Sequence, residues 1–195
     1  MYKEVASQDS SLVGKRLLLR KIEQEDTGNI IRWRNQDFVR RNFIYQEPFT
    51  EKGHKEWLAT MIESGLAVQF ILLEKDAGRP IGSVYLRDID RQHNKAEYGI
   101  FIGEADALSK GYGTEAAGLM LGYAFKELSL HKVFLRAFAD NAAAVGSYKK
   151  AGFVQEALLR DEVRIQGQYR DMVLMACINP EHAGVLQQRS GKDHE

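Results

Sequence analysis

A glycine-punctuated turn, Lys110-Gly111-Tyr112-Gly113-Thr114-Glu115-Ala116, joins a strand-like stretch to a helix-like one. The first amides of a helix have no partners within the helix, and the helix dipole adds partial positive charge there. Together they suit a phosphate. Gly111 and Gly113 allow positive φ and close approach of the backbone to an anion. A ligand-free turn opening a helix would accept the same two glycines. The choice narrows with a second cluster one βα unit later: Asn141, Tyr148, Gly152 and Phe153.

With 195 residues, the chain is long enough for one domain with a sizeable core. Its 27 Lys+Arg balance 27 Asp+Glu, for a formal net charge of zero. A general binder of nucleic acid or of a membrane surface would carry a basic excess, so neither partner is expected. Cys177 is the single cysteine, which excludes an intrachain disulfide and a thiolate metal cluster. His54, His93 and His131 are scattered, so no metal site is expected. The first residues lack the apolar core of a signal peptide, and no apolar run is long enough to span a bilayer. These features point to a cytoplasmic protein.

Periodicity and turn residues predict a polar, mobile lead-in over residues 1–14 and a first strand over 15–22. A helix is predicted over 26–34, with Ile30, Ile31 and Trp33 on its apolar side. Residues 35–48 show no clean period. Thr50 suits the N-cap of a helix reaching residue 64, and Gly53 weakens its first turn. Strands follow over 68–74, 81–90 and 96–103, the first two joined by a Gly/Pro turn. The helix over 114–128 carries Ala117, Leu121, Ala124, Phe125 and Leu128 at helical spacing. Residues 132–139 read as a strand, and Asn141 caps a short helix that Gly152 stops. Strands over 153–163 and 169–178 close the domain, predicted over 15–178, and a polar tail runs from 179 to 195. The order β-αα-βββ-α-β-α-ββ describes a mixed α/β (α+β) fold, with a mostly antiparallel sheet of about seven strands and helices on its faces.

Three ordered motifs carry a resemblance. They are the glycine turn, Phe125-x-x-Leu128-x-Leu130-His131-Lys132, and Asn141-x6-Tyr148-x3-Gly152-Phe153, with Tyr169-x-Asp171-x3-Met175 following. Over residues 16–176 the chain resembles the GNAT superfamily of acetyl-CoA-dependent N-acetyltransferases. Through Trp33-Arg34-Asn35 and Ala96-Glu97-Tyr98-Gly99 it is most similar to the branch of ribosomal-protein N-terminal, spermidine and nucleotide-linked amino-sugar acetyltransferases. Where many members place Gln or Arg three residues before the first motif glycine, this chain has Leu108.

The resemblance implies splayed central strands and a cofactor, acetyl-CoA, with a defined set of contacts. Its pyrophosphate would lie on Lys110, Gly111, Tyr112, Gly113 and Thr114, with Lys110 adding a point charge. Its pantetheine would pair with Ile100, Phe101 and Ile102, and Asn141 and Ala144 would contact it from the next helix. Tyr148 would donate a proton to the leaving sulfur, although an amphipathic helix would also carry such a tyrosine. Asn141 has a second reading as a plain N-cap.

An alkyl ammonium titrates near ~10, so the amine must lose a proton before it attacks. Glu97, on the strand bordering the thioester, is the candidate base, directly or through water. Strand alternation puts Gly99 and Phe101 on its face. Tyr85, Asp88 and His93 are weaker candidates.

Acceptor specificity is expected from Trp33, Arg34, Asn35, Tyr85 and Glu97, within a region rich in Arg32, Arg40, Arg41, Phe38, Phe43 and Tyr45. Clustered arginines and aromatics suit an anionic, ring-bearing acceptor. A polyamine would need carboxylates such as Glu47, Glu51, Glu56 and Glu63, and a solvated, salt-bridged surface would use either set. A small-molecule or peptide amine, attacked directly in a ternary complex, and a second copy of the chain in a homodimer are the expected partners. The alternative functions are a non-catalytic acyl-CoA-binding regulatory module and a different nucleotide-binding α/β protein. The latter lacks both a Walker ending and a full G-x-G-x-x-G.

Overall fold

The computed structural model describes residues 11–181. A short strand β1 (Leu12–Val13) leads into β2 (Leu17–Lys21), then α1 (Thr27–Arg34), α2 (Asp37–Arg40) and α3 (Glu51–Trp57). Strands β3 (Val68–Glu74), β4 (Arg79–Asp90) and β5 (Lys95–Ile102) come next. Helix α4 (Tyr112–Lys126), β6 (Lys132–Phe138), α5 (Ala142–Ala151), β7 (Val154–Ile165) and β8 (Gln168–Ile178) complete the order. The expected succession of elements is present, with one addition. Leu12 and Val13, read as lead-in, pair with Leu19 and Leu18 and add an eighth strand at the edge. Residues 1–10 and 182–195, expected to be mobile ends, lie outside the described residues.

The periodless stretch after residue 35 contains the four-residue α2, followed by irregular chain up to Thr50. Thr50 caps α3 as expected, its Oγ1 accepting from the Gly53 amide at 3.1 Å. Beyond Trp57 the helix widens into a π-type turn (Leu58–Ile62).

One sheet runs in the order β1-β2-β3-β4-β5-β6-β8-β7. Every neighbouring pair is antiparallel except β5 and β6. That parallel pair holds only Lys95, Ala96 and Glu97 against Lys132, Val133 and Phe134. Beyond Glu97 the two strands part, while β6 stays paired with β8 to Phe138. A wedge-shaped gap therefore opens in the middle of the sheet.

Both faces of the sheet are covered, which explains the continuous apolar run of β3. Phe70 and Leu72 face the main core with Val84, Leu86, Ala96, Val133, Leu135 and the buried side of α4. Ile71 faces a second core, with Ile30, Trp33, Val39 and Phe101, under α1 and α2. On α4 the fully packed residues are Ala116, Ala117, Met120, Leu121 and Ala124, with Phe125 and Leu128 at their margin. These small side chains let α4 lie close to the sheet and bring its first turn to the mouth of the gap.

Candidate active site

A cleft of about 710 Å³ occupies the gap between β5 and β6. Main chain from two helix starts forms one end. Helix α4 begins at Tyr112, two residues before its predicted start, because Gly111 is its N-cap with φ 82° in the left-handed region. No side chain caps this helix, and its first backbone bond runs from the Glu115 amide to the Gly111 carbonyl. The amides of Tyr112, Gly113 and Thr114 are left without helical acceptors. All three residues line the cleft.

Arg16 holds the turn from behind. It donates to the Lys110 carbonyl at 2.7 Å and stacks over the Tyr112 ring at 5.0 Å. Glu115 fixes Arg16 in turn, accepting from its backbone amide at 2.7 Å and its Nε at 3.0 Å, and from the Leu17 amide at 3.1 Å. The Lys110 side chain is exposed and absent from the cleft lining, so only the residue's main chain shapes the turn. Leu108 lines the cleft and is 42% exposed.

Helix α5 supplies the facing wall. Asn141 accepts from the Ala144 amide at 3.1 Å, the expected N-cap, and its Nδ2 donates to Asn42 Oδ1 at 3.0 Å. Both ends of its amide are thus engaged. Ala142, Ala143, Ala144 and Gly146 leave the wall shallow. The first turn of α4 is tied to the middle of α5 by Thr114 Oγ1 and Ser147 Oγ at 2.9 Å. A Cβ on Gly113 would sit 3.2 Å from Ser147 Oγ, so a side chain there would push the helices apart. Ile100, Phe101 and Ile102 form the diverging end of β5, where β6 no longer pairs with them.

At the centre stands Tyr148. Its ring packs edge-on against Tyr98 at 6.0 Å and against Phe153 at 6.0 Å, which accounts for the aromatic after Gly152. Burial first, and Tyr85 second, push its phenol well above the ordinary value of 10. The hydroxyl, protonated at neutral pH as any phenol is, makes no hydrogen bond among the described residues. The neighbouring Tyr98 hydroxyl is buried and unpartnered.

The other end of the cleft is made of side chains. Register and alternation place Tyr85 and Arg87 of β4, Glu97 and Gly99 of β5, and Arg136 of β6 on one face. A methyl group built on Gly99 would overlap the Tyr85 ring, so the glycine makes room for the tyrosine. Glu97 is 6% exposed. Its Oε2 accepts from Arg87 at 2.8 and 3.1 Å and from Arg136 Nη2 at 3.4 Å, and its Oε1 accepts from Arg136 Nε at 3.1 Å. Two guanidiniums paired with this carboxylate favour its charged form and weaken it as a proton acceptor, which sets this geometry against the expected role as base. Asp88 and His93 do not line the cleft. Asp88 is exposed beside Arg87, and His93 bonds Asp90 at 2.7 Å.

The Trp33-Arg34-Asn35 run is framework more than substrate contact. Trp33 is fully buried over Gly103 and donates to Glu104 Oε1 at 2.7 Å. Asn35 donates to the Phe49 carbonyl at 2.9 Å and accepts from the Phe49 amide at 2.7 Å, fastening the 41–49 loop. Arg34 lies with its carbon Cζ 3.3 Å above the Phe43 ring. Arg32 pairs with Glu104 and Arg40 with Asp37, both away from the cleft. Arg41 does line it. Arg87 and Arg136 escaped the sequence reading, although a polar residue recurring on an otherwise apolar strand face was the available signal.

Residues 16–154 match the family model described as an acetyltransferase (GNAT) domain. The spermidine N(1)-acetyltransferase of Escherichia coli K12 is 32% identical over 160 residues, 82% of this chain and 84% of that protein. The crystal structure of the Vibrio cholerae spermidine N-acetyltransferase with CoA and spermine superposes with a TM-score of 0.77 at 29% identity, covering 84% of this chain and 95% of the other. A dodecameric structure of the same Vibrio enzyme matches with a TM-score of 0.73 at 27% identity, covering 87% and 98%.

Proposed function

The chain belongs to the GNAT acetyltransferase family, and from that premise we propose how its residues divide the work of moving an acetyl group from acetyl-CoA to a primary amine. Enzymes of this family use acetyl-CoA as co-substrate, which brings the acyl group activated as a thioester. The one observation that carries the assignment is the shared cleft. Three unpaired amides at the α4 start, a diverging β5 edge and a protonated phenol all face it.

In this reading the Tyr112, Gly113 and Thr114 amides hold the pyrophosphate, with Gly111 setting the turn. The main chain of Ile100, Phe101 and Ile102 pairs with the pantetheine amides, and the shallow wall at Ala144 gives the arm room. Asn141 joins them once its bond to Asn42 exchanges for one to the cofactor. The amine nitrogen attacks the thioester carbonyl directly, a C–N bond forms, and the C–S bond breaks. The ammonium loses one proton to solvent before attack, Tyr148 gives its proton to the departing sulfur, and the proton lost by the acylated nitrogen returns through solvent to the phenolate. Glu97 holds Arg87 and Arg136 in the acceptor wall and is a positioning residue in this account. Tyr85 lines that wall. Arg34 supports it from behind Phe43, while Trp33 and Asn35 brace the loop.

The acceptor is a primary amine of a small molecule or a peptide terminus, and the relatives named for spermidine make polyamines the first class to assay. The functional unit is a homo-oligomer, as the Vibrio relative's dodecamer suggests. Among the described residues no helix is long and apolar enough to cross a membrane. We place the protein in the cytoplasm, where a lone cysteine such as Cys177 stays reduced.

Thiol release from acetyl-CoA, followed with polyamines, amino sugars and peptides, tests the assignment. Release that depends on an amine is expected. Tight CoA binding with no turnover on any amine would favour the alternative, a non-catalytic acyl-CoA-binding module.

A further inference from the structure

We infer that the acceptor amine carries an anionic group, a phosphate or a carboxylate, bound at the Arg87–Arg136 wall, and that polyamines are poor substrates. This deepens the acetyltransferase reading above and rests on it.

The inference follows from the charges in the cleft. Among the described residues the ionisable cations lining it are Arg41, Arg87, Arg136 and Lys150, and the lining carboxylate is Glu97 alone. That carboxylate is shared by two guanidiniums through four contacts of 2.8–3.4 Å, so the trio has a net charge of +1. Glu97 Oε1 accepts one bond and its Oε2 three, so the single negative charge is already more than matched by the two guanidiniums. A polyamine needs a free acid for each charged nitrogen it buries, and this wall offers none.

Arg34 raises the local potential further. It makes no ion pair or hydrogen bond among the described residues, and its Nε is buried without a partner. It stacks on Phe43, itself a lining residue, and interacts electrostatically with Tyr85 and Arg87. A guanidinium set behind the wall with no carboxylate is stabilised when an anion arrives on the other side. Arg87 and Arg136 stand at the sheet end of the cleft, on the Tyr85–Gly99 face, away from the helix starts that take the pyrophosphate. Arginine forks also match the geometry of a phosphate or carboxylate.

The test compares kcat/KM for amines that differ only in charge. One arm uses glucosamine 6-phosphate against glucosamine. A second uses alanyl-alanine against its C-terminal amide, and a third uses spermidine. In at least one pair the anionic member should exceed its neutral twin by about tenfold or more, with spermidine below both; whichever pair responds identifies phosphate or carboxylate. Arg87→Gln should erase that preference by raising KM for the anionic amine, with KM for acetyl-CoA unchanged. Arg87→Lys should keep most of it, which a purely structural arginine would not predict. Equal efficiencies within both pairs, or spermidine as the best acceptor, would overturn the inference and leave the acetyltransferase reading intact. If no probe turns over, calorimetry on the CoA-saturated enzyme decides. Glucosamine 6-phosphate binding more tightly than spermidine supports the inference, whereas the reverse order, or no binding of either, overturns it. Failure to bind acetyl-CoA at all would instead remove the reading beneath it.

Discussion

At one end of the cleft the groups offered to a ligand are peptide amides, fixed by a left-handed glycine and two helix starts. At the other end they are long side chains from three strands, fixed by one another through Glu97. The first kind of grip reads any diphosphate, because it depends on main-chain geometry and a dipole. The second can be rebuilt by single substitutions without disturbing the sheet. A fold divided this way can keep its acyl donor while its acceptors change. This explains how a chain 32% identical to a spermidine acetyltransferase can present a cationic acceptor wall.

Between the two ends stands Tyr148, and its removal should produce the largest effect. Tyr148→Phe is expected to lower kcat by roughly a hundredfold or more while leaving the affinity for acetyl-CoA nearly unchanged. Equal losses in both would make Tyr148 a packing residue and erase the boundary between the ends.

Gly111→Val separates the two ends most cleanly. A β-branched residue at φ 82° is strained by about 1–2 kcal/mol, and the turn would shift its amides. KM for acetyl-CoA should rise about tenfold with the acceptor's KM little changed, in steady-state assays varying each substrate in turn. A rise in the acceptor KM alone would contradict the division.

Glu97→Gln probes the far end more gently. It weakens the hold on two partly buried guanidiniums, so melting should reveal a loss of about 1–3 kcal/mol. Activity should fall several-fold by a factor that stays constant with pH. A loss that shrinks as pH rises and the amine deprotonates unaided would restore Glu97 as the base.

How much of this the sequence revealed divides along the same line. Gly111, Asn141 and Gly152 announce themselves, because φ of 82° and 106° and an Asx cap are local demands met by few residue types. Strand and helix limits came within a few residues for the same reason. The helix start moved to Tyr112 because Gly111, not Thr114, terminates the turn. The acceptor wall depends on register between strands that are distant in sequence, and one chain read linearly does not supply it. Arg136 meets Glu97 across 39 positions, and Arg16 meets Glu115 across 99. Trp33 and Asn35 stood out as a motif, yet their polar atoms are spent on Glu104 and Phe49 inside the scaffold. Lys110 has an exposed side chain, while its carbonyl accepts from Arg16, a partner 94 positions away that its local sequence does not announce.

The most direct test is a crystal structure of the enzyme with CoA. The account predicts the diphosphate on the amides of Tyr112, Gly113 and Thr114, with the sulfur reaching the Tyr148 hydroxyl through the gap between β5 and β6. A diphosphate seated at the Arg87–Arg136 wall, or anywhere off the start of α4, would contradict it.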